Sequence, residues 1–112
     1  MKNHCYFVYM APSKSRVIYI GMTNDLHRRI FEHRNALIEG FTEQYRCHRL
    51  VYFESFDDVH KAIGREKQLK RWSRVKKIWL IEQKNRTWED LSESWYTRHQ
   101  FQPEKQVPPL AG

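Results

Sequence analysis

Two tyrosines stand at a spacing that places their phenols together in a small fold. Tyr9 and Tyr19 each lie in a short run of β-branched and aromatic residues, 7–10 and 17–20, and such runs are typical of strands. Residues 11–16 between them contain proline and serine, which favours a hairpin loop. If residue 9 pairs with residue 19, both phenols lie on one face of the hairpin. Such a face offers hydroxyl groups that can bind anions or move protons.

A guanidinium and an imidazole follow on the next predicted element, a helix that begins after a turn at Gly21. The apolar positions of this helix form one stripe that consists of Leu26, Ile30 and Leu37. His33 lies inside the stripe and Arg29 lies at its edge. Polar groups on a stripe that faces the core cost free energy unless they are satisfied. Either residue alone is more commonly structural, but beside two phenols the pair indicates a site.

A carboxylate interrupts a second apolar stripe, on the helix predicted for residues 58–72. This stripe consists of Val59, Ala62, Ile63 and Leu69, and Glu66 falls almost at its centre. A carboxylate in such a position is rarely buried unless it is paired or bound to a metal. On spacing alone an ion pair, for instance with Arg29, is favoured over a metal site. We expect the polar positions of the two helices to converge on one concave surface.

Positive charge is concentrated just after Glu66. The chain carries 20 Lys and Arg against 13 Asp and Glu, which gives a net charge of +7 and a pI near 9.6. This balance favours a polyanionic partner, and the dense run at residues 65–77 favours contacts with phosphates over a merely solvated face. The residues we assign to nucleic-acid binding are Lys67, Lys70, Arg71 and Arg74.

The remaining pattern predicts an α+β fold with a small, three-stranded, mostly antiparallel sheet flanked by helices. Residues 50–54 read as the third strand, and residues 74–84 as a third helix capped by Ser73. The length of 112 residues suits one domain, which we place at residues 1–96. Residues 97–112 are polar and rich in proline, so we expect a disordered tail.

Two classes of protein are excluded by composition. Hydrophobic residues at 40% and aromatic residues at 14% argue against a wholly disordered chain. No apolar run approaches the roughly 18 residues of a membrane helix, and the N-terminus lacks the apolar core of a signal peptide. We therefore expect a cytoplasmic protein that has no contact with a membrane.

Taken in order, Tyr9, the sequence Tyr19-Ile20-Gly21, Arg29 and His33 resemble the core of the GIY-YIG nuclease superfamily. The likeness spans residues 6–91 and is strongest to small, single-domain bacterial members similar to the nuclease domain of the excision-repair incision subunit. The first motif departs from the family pattern, because phenylalanine stands at position 7 where the family has glycine. The second motif is intact.

The resemblance implies a metal-dependent endonuclease that hydrolyses DNA, structure-directed or weakly sequence-specific, with a role such as DNA repair. It implies that Glu66 binds Mg²⁺ or Mn²⁺, that Arg29 holds the phosphate, and that His33 accepts or relays a proton. A free tyrosine has a pKa of about 10, but a nearby metal and arginine favour the phenolate, so either Tyr9 or Tyr19 can be the general base.

The resemblance also gives Gly21 and Asn85 supporting places in the site, and it leaves room for a protein partner that supplies specificity. Two alternatives remain open. One is a nucleic-acid-binding module without catalysis, and the other is a structural protein whose basic face binds an acidic partner.

Overall fold

The computed structural model describes residues 5–13, 16–35 and 49–95. Its elements, in chain order, are strands β1 (Tyr6–Pro12) and β2 (Ile18–Thr23), helix α1 (Leu26–Arg34), strand β3 (Tyr52–Phe56), and helices α2 (Val59–Arg71) and α3 (Arg74–Lys84). The strands form one antiparallel sheet in the order β2-β1-β3. The predicted α+β fold is confirmed, while the predicted tail at 97–112 lies outside the described residues.

The hairpin register differs from the prediction by two residues. Tyr9 lies opposite Gly21, not opposite Tyr19, because the loop is centred one residue later than expected and Ser13 N already donates to Val17 O at 2.9 Å. Since side chains alternate with a period of two, this shift leaves both phenols on the same face. Gly21 is therefore part of β2 and does not form the turn that the sequence suggested.

The core has two layers, one on each face of the sheet. Helices α2 and α3 cover the first face with a buried set that consists of Ala62, Leu69 and Ile81. Helix α1 covers the second face, where the buried set consists of Tyr9, Ala11, Leu26, Ile30 and Leu50. The apolar stripes of α1 and α2 thus pack on opposite faces of the sheet, and the expectation that their polar positions converge on one concave surface stays a prediction.

Each helix begins at a side chain that accepts a backbone N–H. Asp25 accepts from Arg28 N at 3.2 Å at the start of α1. Asp58 caps α2, and Ser73 caps α3 as predicted. Helix α1 ends at Arg34, so the apolar position predicted at residue 37 lies outside the described residues.

Replacing Gly21 by alanine is expected to lower the free energy of unfolding by about 1–3 kcal/mol. A Cβ at this position would lie 2.5 Å from Tyr9 Oη and 2.8 Å from Tyr19 Cε2, and Tyr9 is fully buried, so its ring has no room to turn aside. Urea denaturation measures the change.

Gly64→Ala is the matched control, because a Cβ there meets no atom within 4 Å. It lies inside α2, where alanine is favoured over glycine by about 1 kcal/mol, so this variant should be more stable than the wild type. Similar effects of the two substitutions would contradict the close approach at Gly21.

Candidate active site

The hairpin and α1 bring two phenols and an imidazole into contact. Tyr9 Oη lies 2.9 Å from His33 Nε2 in a buried hydrogen bond. The ring of Tyr19 lies 4.8 Å from that of His33 and 6.0 Å from that of Tyr9, measured between centroids. These side chains, together with Arg29, are called the tyrosine cluster below.

Arg29 joins the cluster through a hydrogen bond to the Tyr9 side chain. Burial alone would lower the pKa of Arg29, but this bond and the nearby charges, including the Glu32 carboxylate at 3.4 Å, offset burial and raise it. The guanidinium is therefore firmly cationic. Tyr9 Oη thus lies between the guanidinium of Arg29 and Nε2 of His33.

Glu32 was not predicted as part of this site. It lies three residues after Arg29 and four after Arg28, and it pairs with both. This spacing is the usual one for ion pairs on a helix, so the sequence alone could have predicted that Glu32 pairs with these arginines. The carboxylate of Glu32 therefore contacts Arg29 from within α1, while Tyr9 contacts it from β1.

His33 is neutral in the folded protein. Only 1% of its surface is exposed, and burial, assisted by the positive charge of Arg29, lowers its pKa from 6.5 to about 4. A neutral imidazole beside a phenol can accept a proton at physiological pH.

Exposure divides the tyrosine cluster into two levels. Tyr9 is fully buried and His33 almost so, whereas Tyr19 is partly exposed and the side chain of Arg29 is 34% exposed. A molecule that approaches from solvent therefore meets Tyr19 and Arg29 first. Tyr9 and His33 lie beneath them.

Glu66 lies on α2, on the other face of the sheet, at the flank nearer β2. The buried line of α2 runs through Ala62 and Leu69, and Arg65 on one flank donates to Glu54 on β3 at 2.8 Å. Glu66 is on the opposite flank, which faces the edge strand that bears Tyr19. Helical geometry therefore puts Glu66 on the flank of α2 away from β3, and the tyrosine cluster lies on the opposite face of the sheet.

The ion-pair partner of Glu66 is Lys70 at 3.1 Å, and not Arg29. The carboxylate is 20% exposed while Lys70 is 54% exposed. Among the residues that the structure describes, no three His, Cys, Asp or Glu side chains gather in a way that could hold a metal ion. A metal here would have to be held by few protein ligands.

The basic residues predicted to bind nucleic acid are exposed, and they follow α2 into α3. We call Lys67, Lys70, Arg71 and Arg74 the basic track. Lys70 pairs with Glu66, and Arg74 Nη1 donates to the backbone oxygen of Arg16 in the hairpin loop at 2.7 Å. The basic track thus runs from the candidate metal ligand toward the loop between β1 and β2.

Asn85 is buried at the end of α3, where its amide binds backbone groups. Its Nδ2 donates to Val51 O at 3.0 Å and to Glu89 O at 2.8 Å, and its Oδ1 accepts from Glu89 N at 2.9 Å. These bonds join α3 to the residue before β3 and to the segment that follows the helix.

Comparison with known proteins identifies the family. The model of the GIY-YIG catalytic domain matches residues 3–78. The chain belongs to the GIY-YIG family. This is a family of nucleases, generally dependent on divalent metals and acting on DNA, and the resemblance found in the sequence is confirmed.

Several relatives are small GIY-YIG proteins. A UPF0213 protein of Staphylococcus saprophyticus is 36% identical over 76 residues, which cover 68% of this chain and 93% of that protein. UPF0213 protein YazA of Bacillus subtilis is 33% identical over 84 residues, or 75% and 85% of the two chains. The solution NMR structure of a UPF0213 protein from Bacillus halodurans has a TM-score of 0.53 at 29% identity, covering 83% of this chain and 99% of that one.

The helices of the described part of the chain are all too short or too polar to cross a membrane.

Lowering the pH from 6.5 to about 4 is expected to cost stability, and His33 should account for about 3 kcal/mol of the loss. In this window the unfolded chain binds a proton at residue 33 while the folded protein does not, so the free energy of unfolding falls with pH. The stability that depends on a neutral His33 is fully present above pH 6.5 and is lost as the pH falls toward 4.

Urea denaturation between pH 4 and 7 measures this loss. His33→Gln does not titrate, so its stability should depend less on pH. His60→Gln, at an exposed histidine of α2, should keep the slope of the wild type. Equal slopes for all three proteins would show that His33 is not the titrating group.

Proposed function

We propose that the protein is a metal-dependent endonuclease that hydrolyses phosphodiester bonds of DNA, with structure-directed or weak sequence preference. The observation that carries this proposal is the hydrogen-bonded chain from Arg29 through Tyr9 to His33, with Tyr19 against it, in a member of the GIY-YIG family. Hydrolysis of a phosphodiester needs a cationic group for the phosphate and an acceptor for the proton of water. The tyrosine cluster offers both.

Arg29 is the proposed phosphate ligand. Its guanidinium stays charged, and its planar donors match the oxygens of a phosphate. The contacts with Tyr9 and Glu32 hold it at a partly exposed position. Orientation before the substrate binds is what makes such a donor effective in the transition state.

Tyr19 is the proposed general base, because it is the tyrosine of the cluster that solvent reaches. In its phenolate form it takes a proton from the attacking water, and its negative charge is compensated by Arg29 nearby. Tyr9 is fully buried, so we assign it a holding role between Arg29 and His33. The neutral imidazole of His33 is then available to accept a proton.

Glu66 is the proposed ligand of Mg²⁺ or Mn²⁺. Such hard cations prefer oxygen and often take only one or two protein carboxylates, which suits a partly buried carboxylate whose ion-pair partner is an exposed lysine. When bound, the cation would neutralise charge on the phosphate and stabilise the leaving 3′ oxygen. The flank of α2 that carries Glu66 faces β2, the strand of Tyr19.

The basic track is the proposed contact with the DNA backbone. Its residues are exposed and begin one residue after Glu66, so a bound strand would pass beside the metal ligand. Phosphate contacts carry little sequence information. Specificity in so small a domain would come from DNA shape or from a protein partner.

Arg29→Ala should lower the rate of DNA cleavage at least about 100-fold, a loss typical of removing one donor to a transition-state anion. Arg28→Ala is the matched control, since it removes the neighbouring arginine, which pairs with the same Glu32 but is 75% exposed. Glu66→Gln should abolish metal-dependent cleavage, whereas Glu93→Gln, at an exposed glutamate, should not.

Nicking of supercoiled plasmid and cleavage of branched DNA, each with Mg²⁺ or Mn²⁺, are the assays. If the folded wild type binds DNA but cleaves neither substrate with either metal, the proposal fails in favour of a binding module without catalysis. An equal loss of cleavage rate in Arg28→Ala and Arg29→Ala would contradict the assignment of Arg29 as the phosphate ligand.

The double variant Lys67→Ala/Arg71→Ala should bind DNA more weakly and with less dependence on salt. Each lost phosphate contact lowers the slope of log affinity against log salt by about 0.9, so the slope should change by about 2. Lys61→Ala, an exposed lysine on the other flank of α2, should keep the slope. Fluorescence anisotropy across salt concentrations measures the affinity and its slope for each variant. An unchanged slope in the double variant would exclude the basic track as the contact with the DNA backbone.

A further inference from the structure

The segment of residues 85–95 lies beyond the stretch matched by the family model and contacts both ends of α1. We propose that Asp90 and Trp95 in this segment are positioning residues for the reaction, because they fix α1 and thereby hold Arg29 and His33 against the hairpin. The proposal rests on the proposed function for its activity readout, while its structural part can be tested without it.

The first contact is at the last residue of α1. Arg34 Nη2 donates to Asp90 Oδ2 and, at 2.8 Å, to Ser92 Oγ. Ser92 Oγ in turn donates to Asp90 Oδ1 at 2.7 Å. Ser92 is fully buried, and both charged side chains are largely buried. Such a closed, charge-assisted set of hydrogen bonds has one preferred geometry.

The carboxylate of Asp90 also binds the backbone that leads into β3. Asp90 Oδ1 accepts from Leu50 N at 3.0 Å, and Leu91 N donates to Leu50 O at 2.8 Å. Leu50 leads into β3 and packs in the core layer under α1. Asp90 therefore links the end of α1 to the backbone that enters the sheet. Burial works to raise the pKa of Asp90, but these hydrogen bonds and Arg34 outweigh it and lower the pKa, which keeps the carboxylate ionised.

The second contact is near the first residue of α1. The ring of Trp95 stacks on that of His27, with 3.9 Å between centroids and 17° between planes. Trp95 also packs against the core layer that contains Tyr9 and Ile30. The segment thus holds α1 at both ends, and Arg29 and His33 lie between the two contacts.

Helix α1 needs such support because it has only nine residues. Helices shorter than about 12–15 residues are marginal on their own and depend on tertiary packing. The bond between Tyr9 and His33 is 2.9 Å long, so a shift of α1 by about 1 Å would break it. Misplacement by this amount is enough to cost about 100-fold in rate.

The experiment compares Asp90→Asn with Glu93→Gln in the full chain. Both remove one negative charge from the same segment, but Glu93 is exposed. Titration of His33 by NMR and cleavage kinetics are measured on each. We expect the pKa of His33 to rise by at least about one unit in Asp90→Asn as α1 loosens and water reaches the ring. We also expect kcat to fall at least about tenfold with KM within about threefold, and Glu93→Gln to match the wild type.

Trp95→Leu tests the second contact independently and carries the test if Asp90→Asn does not fold. It should raise the pKa of His33 in the same direction. If either folded variant is less stable yet keeps the wild-type titration of His33 and kcat, the segment only stabilises the fold and the inference is overturned. Absence of cleavage by the wild type would defeat the proposed function alone, because the titration of His33 still decides whether these residues position α1.

Discussion

The ring of Tyr9 lies against the bare backbone of Gly21, and the geometry of the candidate site depends on this contact. Gly21 is the direct cross-strand partner of Tyr9, and any Cβ there would enter the space of the phenol. Without a side chain at residue 21, the ring can remain buried and extend its hydroxyl to His33. The glycine of the second motif is thus a requirement of packing between two strands, and not of a turn.

From that phenol the electrostatics of the cluster follow. Its hydroxyl is hydrogen-bonded to a guanidinium and to an imidazole, and it is too buried to exchange either partner for water. The charge of Arg29 and the burial of the ring together keep His33 neutral. One buried hydroxyl therefore separates a permanent cation from a neutral base, which suits the binding of an anion and the movement of a proton at the same surface.

The sheet lies between the tyrosine cluster and the helix that carries the proposed metal ligand. The tyrosine cluster lies on the face covered by α1, while Glu66 belongs to the helix on the other face. In the described part of the sheet, β2 is an edge strand and bears Tyr19. If Glu66 binds the metal as proposed, a substrate that contacts both would pass this edge.

Local patterns in the sequence were enough to predict the elements, the Ser73 cap of α3 and the residues of the cluster, because strand runs, helical stripes and polar interruptions depend on neighbouring positions. The two-residue shift of the hairpin was not predictable in this way, since both registers bury the same face. The ion-pair partner of Glu66 was also misjudged, because the nearest lysine on its own helix competed with a distant arginine. Only the tertiary structure decided that Asp90 meets Arg34, 56 residues earlier in the chain, and that the two helical stripes face opposite sides of the sheet. Such contacts depend on how separate elements pack, and the periodicity of the sequence does not predict that packing.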